Sequence, residues 1–124
     1  MIKVGGYVRA TIGVVLLVAP GILGPAWIGA DARPKGVRAL VRALGIREVL
    51  IGAGAIIAAN EGIQLRRWVE FAMVADATDA VATLMAARHI PASRAALVVT
   101  TAAGSATVQA WALSQLPEEV PSTR

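Results

Sequence analysis

The sequence contains no cysteine and only one histidine, His89. Without cysteine the chain forms no disulfide bond and offers no thiolate to a metal ion. His89 precedes Ile-Pro between two apolar stretches, where we expect a solvated loop, so the serine–histidine and cysteine–histidine arrangements of hydrolases are excluded. The glycines follow no strand and show no phosphate-loop pattern, so they do not indicate a nucleotide site.

Charged residues are also scarce. Only 16% of the 124 residues are charged, against 56% that are hydrophobic, and the mean hydropathy is +0.65. Several long stretches carry no charge at all, namely residues 10–30, 49–60, 80–87 and 95–117. A soluble helical bundle needs a polar face on every helix, and these stretches do not supply one. The composition therefore favours a single domain of membrane-spanning helices.

The charge that is present is mostly basic, with a net charge of +4 and a calculated isoelectric point of 10.7. In a soluble protein this balance would suggest nucleic-acid binding. Here the basic residues occur singly or in pairs near the ends of the apolar stretches, where flanking charges anchor transmembrane helices. We therefore expect a lipid bilayer as the partner and no nucleic acid. The basic residues divide evenly between the two predicted faces, so orientation stays open.

The apolar residues form four windows of the length that a bilayer requires, which is roughly 20 residues per helix. They cover residues 4–23, 37–59, 68–87 and 92–114. Short segments containing proline, glycine or asparagine separate them, so neighbouring helices should be antiparallel. A signal peptide is less favoured for the first window, because no small-x-small cleavage site follows it.

These windows predict an all-α fold, a four-transmembrane-helix antiparallel bundle. Residues 1–115 would form the single transmembrane domain, and residues 116–124 a polar tail. The expected location is the cell membrane, as a multi-pass protein of the bacterial inner membrane. No alternating strand-length segments argue for another architecture.

Charged residues lie at the centres of two of these windows. Asp76 and Asp79 are near the midpoint of the third window and share one face of a helix. The second window has its midpoint near Glu48, which follows Arg47. Antiparallel packing would bring all four residues to the same depth. Arg42 lies about 9 Å from that midplane along the helix, and we expect its side chain to extend towards Asp79.

A lone charge at the centre of a bilayer costs about 2.5 to 3.5 kcal/mol on insertion scales. Pairing offsets that cost, so we predict that Arg47 or Arg42 contacts Asp76 or Asp79. Arg9 is placed one turn inside the first window, at the depth of Glu70 and away from this group. The fourth window is expected to add hydroxyl groups at similar depth, from Thr100, Thr101 and Ser105.

The segments ALGIREVLIGAG and RRWVEFAMVADATDA carry a resemblance. Their combination resembles small uncharacterised four-helix integral membrane proteins of actinobacteria, in which a Gly-x-Arg segment in one span is followed by an Asp-containing span. The similarity covers about the middle half of the chain. It implies the fold and implies no reaction.

Three functions fit these features, and the first is a structural or accessory subunit of an oligomer or membrane complex. Small residues along the second and fourth windows, such as Gly45, Gly52 and Gly104, favour a homo-oligomer or a larger complex. In this interpretation the charges fix the order of the helices.

The second function is a membrane-embedded isomerase or cyclase acting on a lipid-like substrate. The candidate acid/base residues are Asp76, Asp79 and Glu48, with Arg47 and Arg42 as charge partners. The third function is a proton-coupled small transporter that uses the same carboxyl groups. No cofactor is expected, and no metal site, because Arg47 competes with a cation for the acids.

Overall fold

The computed structural model describes residues 1–22 and 35–117, apart from the side chains of residues 35 and 36. The helices are α1 (Ile2–Val18), α2 (Lys35–Glu61), α3 (Leu65–Ala86) and α4 (Ala92–Ser114), and a short 3-10 turn follows α3 at Ala87–His89. The described residues contain no strand, which confirms the all-α prediction. The fourth window has the same bounds as α4. The predicted first connection and most of the polar tail lie outside the described residues.

The first helix is shorter than its window, because it ends at Val18, and residues 20–22 are helical again only after a break at Ala19. Ala19 has φ −124° and precedes Pro20, and a residue before proline is disfavoured in the α region. α2 ends in a different way. Gly62 follows it with φ +69°, and its N–H donates to the carbonyl of Ala58 at 2.8 Å, as in a helix that stops at a left-handed glycine.

The helices form two antiparallel hairpins, one made of α1 and α2 and the other of α3 and α4. Contacts within each hairpin are extensive, whereas α2 and α3 join the hairpins through a smaller contact. One part of that junction is Trp68, whose ring lies directly over Gly54. This arrangement leaves α1 and α4 on the side of the molecule away from the junction.

Two glycine pairs set the register of α1 against α2. A Cβ added at Gly6 would lie 2.9 Å from the carbonyl oxygen of Gly52, and one added at Gly13 would lie 2.6 Å from that of Gly45. The converse additions at Gly45 and Gly52 meet the α1 backbone equally closely. Both helix backbones are therefore in contact at two places that lie two turns apart. Halfway between these places, Arg9 comes opposite Glu48.

The distribution of residues is the reverse of that in a soluble bundle. Of the eleven buried hydrophobic residues in the described part of the chain, six are alanine, and Glu48 and Asp76 are buried beside them. Large apolar side chains lie on the outside instead, for example Phe71, Leu84 and Met85. Soluble monomers seldom expose apolar surface on this scale.

Among the described helices, only α4 is both long and apolar enough to cross a bilayer on composition. It has 23 residues, a mean hydropathy of 1.3, and only 17% of its most apolar segment is buried. α1 has 17 residues, and α2 and α3 carry several charged side chains. A core helix of a soluble protein can have the same composition. The composition of the described helices therefore supports one possible span, whereas the sequence windows predict four.

Candidate functional site

Five charged side chains meet between the two hairpins, and we refer to them as the charge cluster. One comes from α1, two from α2 and two from α3, and they are Arg9, Arg47, Glu48, Asp76 and Asp79. The α1–α2 register places Arg9 beside Glu48, and the α2–α3 junction brings the two aspartates to the same level. The cluster is thus assembled by helix packing and not by any one segment.

Arg9 is the link between three helices. Its Nη1 donates to Glu48 Oε2 at 2.6 Å, and its Nη2 donates to Asp76 Oδ2 at 2.5 Å. The planar guanidinium fork suits this geometry, because its parallel N–H groups reach two acceptors without strain. The side chains of Arg9, Glu48 and Asp76 are only 12%, 10% and 10% exposed. Arg9 therefore stabilises the contact of α1 with both α2 and α3.

Arg47 forms the outer half of the cluster. Its Nη1 and Nη2 donate to both carboxylate oxygens of Asp79, at 3.0 and 2.5 Å. Its Nε and Nη2 also donate to Glu48 Oε1, at 3.2 and 2.9 Å. The predicted contact between Arg47 and Asp79 is confirmed. Glu48 accepts hydrogen bonds from both arginines, and so it connects the inner and outer halves.

The fourth helix adds Gln109, which the sequence reasoning missed. Its Nε2 donates to Asp76 Oδ2 and to Ser105 Oγ, both at 2.8 Å. An ionised carboxylate only accepts hydrogen bonds, so the amide nitrogen has to face Asp76. The other amide atom, Oε1, is then buried, and no described residue donates to it. A signal was available, because Gln109 lies in the charge-free stretch 95–117.

The prediction that Arg42 extends towards Asp79 is wrong. Arg9 is the second arginine that contacts the acids. Arg42 is exposed, and its Nε donates to the carbonyl of Leu17 at 3.4 Å, near the end of α1. The error came from the depth assigned to Arg9. Because α1 ends at Val18, Arg9 lies at the middle of the helix and not near its end.

The predicted hydroxyl groups are divided. Thr100 is exposed and donates to the carbonyl of Ala96 in its own helix at 2.7 Å, so it is not part of the site. Ser105 contacts the charge cluster through Gln109, as described above. Glu70, placed outside the cluster by the sequence, pairs with Arg66 one turn away at 3.1 Å.

A cavity of about 630 Å³ lies over the charge cluster, lined by residues of all four helices. We call it the groove. Its exposed lining residues belong to α1 and α4, such as Val8, Ile12 and Val108, whereas those from α2 and α3 are buried or half-buried. The groove therefore opens between α1 and α4. Its walls are mostly apolar, and its polar floor includes Asp76 and Gln109.

The chemistry available at this floor is that of carboxylates held by guanidinium groups. Asp76 and Asp79 both line the groove, as acid–base catalysis on a bound molecule would require. Among the described residues, no group of three potential ligands has the geometry for a metal ion. The catalytic roles assigned from the sequence to Asp76, Asp79 and Glu48 stay predictions, as does proton-coupled transport.

Comparison with family models, curated proteins and solved structures finds no significant match to this chain. The resemblance to small actinobacterial membrane proteins therefore stays an expectation from the sequence.

Proposed function

We propose that the protein is an integral membrane protein of four spans that binds a lipid-like molecule in the groove between α1 and α4. The observation that carries the membrane part is the reversed distribution of residues. Glu48 and Asp76 are buried, while Phe71, Leu84 and Met85 are more than half exposed. Lipid is the surrounding in which such a surface is stable, because a bilayer solvates large apolar side chains and excludes charge.

The charged residues of α2 and α3 do not argue against spanning. The mean hydropathy of a single helix includes each charged residue as if it had no partner in another helix. In the folded protein, Arg47 and Glu48 of α2 and Asp76 and Asp79 of α3 are bonded to one another or to Arg9. A charged side chain that is paired inside a bundle is not exposed to lipid, so the cost of placing a lone charge in the bilayer does not apply to it. The hydropathy of the single helices therefore underestimates their tendency to insert as a bundle.

The binding part of the proposal depends on the groove. Ligand sites typically have about 300 to 1,000 Å³ of volume, mostly apolar walls and a few placed polar groups. The groove has about 630 Å³, apolar walls from α1 and α4, and a polar floor at Asp76 and Gln109. Its opening would face the lipid, so an amphiphilic molecule could enter from the bilayer. An apolar chain would lie along the walls, with its polar group at the floor.

A pair of glycine variants tests this binding. Gly5 lines the groove, and a Cβ added there would meet no atom within 4 Å, so we expect Gly5→Leu to fill the opening without a backbone clash. Gly104 on α4 is equally open but does not line the groove, so Gly104→Leu is the matched control. Native mass spectrometry after extraction in mild detergent would measure the co-purified amphiphile. We expect occupancy to fall in Gly5→Leu and to persist in Gly104→Leu.

Two results of this experiment would contradict the proposal. If Gly5→Leu retains as much bound amphiphile as the unmodified protein, the groove is not the binding site. If the protein is recovered without detergent from the soluble fraction, the membrane part of the proposal fails as well.

A second candidate function is a subunit of an oligomer or membrane complex, which Gly104 favours. It lies on the outer face of α4 with no atom within 4 Å of an added Cβ, so a partner helix could approach closely there. Gly45 and Gly52 no longer support this function, because they pack against α1 in the same chain. The test is the mass of the extracted species. A strictly monomeric protein whose mass is unchanged by Gly104→Leu would leave this candidate without support.

A further inference from the structure

The floor of the groove has an unbalanced charge. Three carboxylates, from Glu48, Asp76 and Asp79, meet two guanidinium groups, from Arg9 and Arg47, so the cluster carries a formal charge of −1. Arg42 would have balanced the count, but it lies outside the groove and bonds to a backbone carbonyl.

The floor also offers acceptors in excess of donors. The guanidinium N–H groups named above already point at carboxylate oxygens, and Gln109 Nε2 is shared between Asp76 and Ser105. Gln109 Oε1 is a buried acceptor without a donor among the described residues. Asp76 accepts its bonds through Oδ2, and no described residue donates to its Oδ1. A buried acceptor without a partner is costly, so a ligand donor at this floor is favoured.

We infer that the groove selects an amphiphile with a protonated amine. Its apolar body would lie between α1 and α4, and its ammonium would donate to Asp76 and to Gln109 Oε1 while balancing the charge of the cluster. An ammonium group supplies one further positive charge, which would bring the cluster to neutrality, and three N–H donors for the acceptors that the guanidinium groups leave without a partner. This inference rests on the proposed binding function, and it names the chemical class of the ligand.

Three probes with the same twelve-carbon alkyl chain separate the contribution of charge to binding from that of hydrogen bonding. They are dodecylammonium, dodecyltrimethylammonium and dodecanol, of which the first is a cation with donors, the second a cation without them and the third neutral. Trp68 lines the groove, and it becomes the only tryptophan in a Trp27→Phe, Trp111→Phe background, so its emission reports binding in nanodiscs. We expect dodecylammonium to bind at least tenfold more tightly than either of the other two.

A charge placed on the groove wall provides a test that leaves the charge cluster itself intact. Ser105 lies one helical turn from Gln109, accepts a hydrogen bond from it and lines the groove, so Ser105→Lys should neutralise the floor and reduce dodecylammonium binding at least tenfold. Ser105→Met removes the same hydroxyl and has similar length without charge, so it is the matched control. Dodecanol binding should change little in either variant.

Each failure has a separate meaning. If dodecanol binds as tightly as dodecylammonium and Gly5→Leu blocks both, the groove binds amphiphiles but the inferred amine selectivity is wrong. If dodecyltrimethylammonium equals dodecylammonium, the hydrogen-bonding part of the inference is overturned. If no probe binds and Gly5→Leu has no effect on co-purified amphiphile, the proposed binding function fails together with the inference.

Discussion

The two hairpins are held together in different ways. In the α1–α2 hairpin, the backbones touch at Gly6 and Gly52, and again at Gly13 and Gly45. In the α3–α4 hairpin, side chains make the contact, with Val69 and Leu113 in a small apolar core. A Cβ added at Gly104, the glycine of α4, would meet nothing within 4 Å. A glycine in an apolar helix therefore does not by itself show that another helix backbone lies close to it.

This difference also determines where the groove and the charge cluster lie. Close approach of α1 to α2 brings Arg9 within reach of Glu48 and Asp76, at 2.6 and 2.5 Å. The α3–α4 hairpin supplies Asp76, Asp79 and Gln109 from the other side. Because the hairpins meet along α2 and α3, the space between α1 and α4 stays open.

The largest expected effect comes from breaking the glycine contact of the first hairpin. A Cβ at Gly13 would lie 2.6 Å from the carbonyl oxygen of Gly45, and backbone atoms cannot rotate away as a side chain does. Gly13→Leu should therefore prevent recovery of folded protein, at a cost above the usual range of about 1 to 3 kcal/mol for overpacking. Gly104→Leu adds the same side chain to the second hairpin and should leave thermal stability in detergent unchanged.

Recovery of Gly13→Leu with the stability of Gly104→Leu would show that α1 and α2 do not touch in this register. The difference between the two hairpins would then not hold, because Arg9 would no longer be fixed opposite Glu48.

The second effect separates Arg9, which the sequence placed away from the acids, from Arg42, which the sequence placed beside them. Arg9 is bonded to two buried carboxylates, whereas Arg42 is exposed and bonded to one backbone carbonyl. Removing one partner of a buried ion pair typically costs about 3 kcal/mol or more. Arg9→Met should have this effect on unfolding in denaturing detergent, and Arg42→Met should remain within about 0.5 kcal/mol of the unmodified protein. Equal effects would restore Arg42 as a partner of the acids.

Helix positions and charge depth were predictable from the sequence to different degrees. The fourth window matched α4 because Pro91 and the charge-free stretch after Arg94 define it sharply. The pairing of Arg47 with Asp79 followed from their equal depth in two windows of similar length. Arg9 was misplaced because the apolar run continues past Pro20, so hydropathy alone put the middle of the first helix too late.

The glycine contacts could not be predicted for a related reason. Composition shows that Gly45 and Gly52 are suited to close packing, but it does not say against which helix. The partner glycines, Gly6 and Gly13, have the same spacing of seven residues, and that correspondence was the available signal. Gln109 could not be predicted from charge pairing, because its side-chain amide is neutral.

The third effect compares the inner and outer acids of the charge cluster. The Asp76 side chain is 10% exposed and accepts bonds from Arg9 and Gln109, whereas that of Asp79 is 34% exposed and pairs with Arg47. We expect Asp76→Asn to reduce stability by about 2 kcal/mol and Asp79→Asn by about 1 kcal/mol, because the more buried Asp76 bonds to two side chains and Asp79, among the described residues, to Arg47 alone. Titration with denaturing detergent measures both. The reverse order would contradict the division into a buried inner half and an outer half.

The smallest effect concerns the junction between the hairpins. A Cβ at Gly54 would clash with the ring of Trp68, which has to shift to accommodate it. Gly54→Ala should cost about 1 kcal/mol and change the emission of Trp68 in the single-tryptophan background. Gly5→Ala, where a Cβ meets nothing within 4 Å, is the control. An unchanged spectrum in Gly54→Ala would show that Trp68 does not lie over Gly54.

The central claim is that α3 crosses the bilayer with Asp76 and Asp79 inside it, and cysteine labelling tests this most directly. The chain has no cysteine of its own, so single substitutions at Ile63 and His89, in the loops on either side of α3, give no background. A membrane-impermeant maleimide should label Ile63→Cys and His89→Cys from opposite sides of the membrane. Labelling of both positions from the same side would contradict the account, because α3 would then not span the membrane.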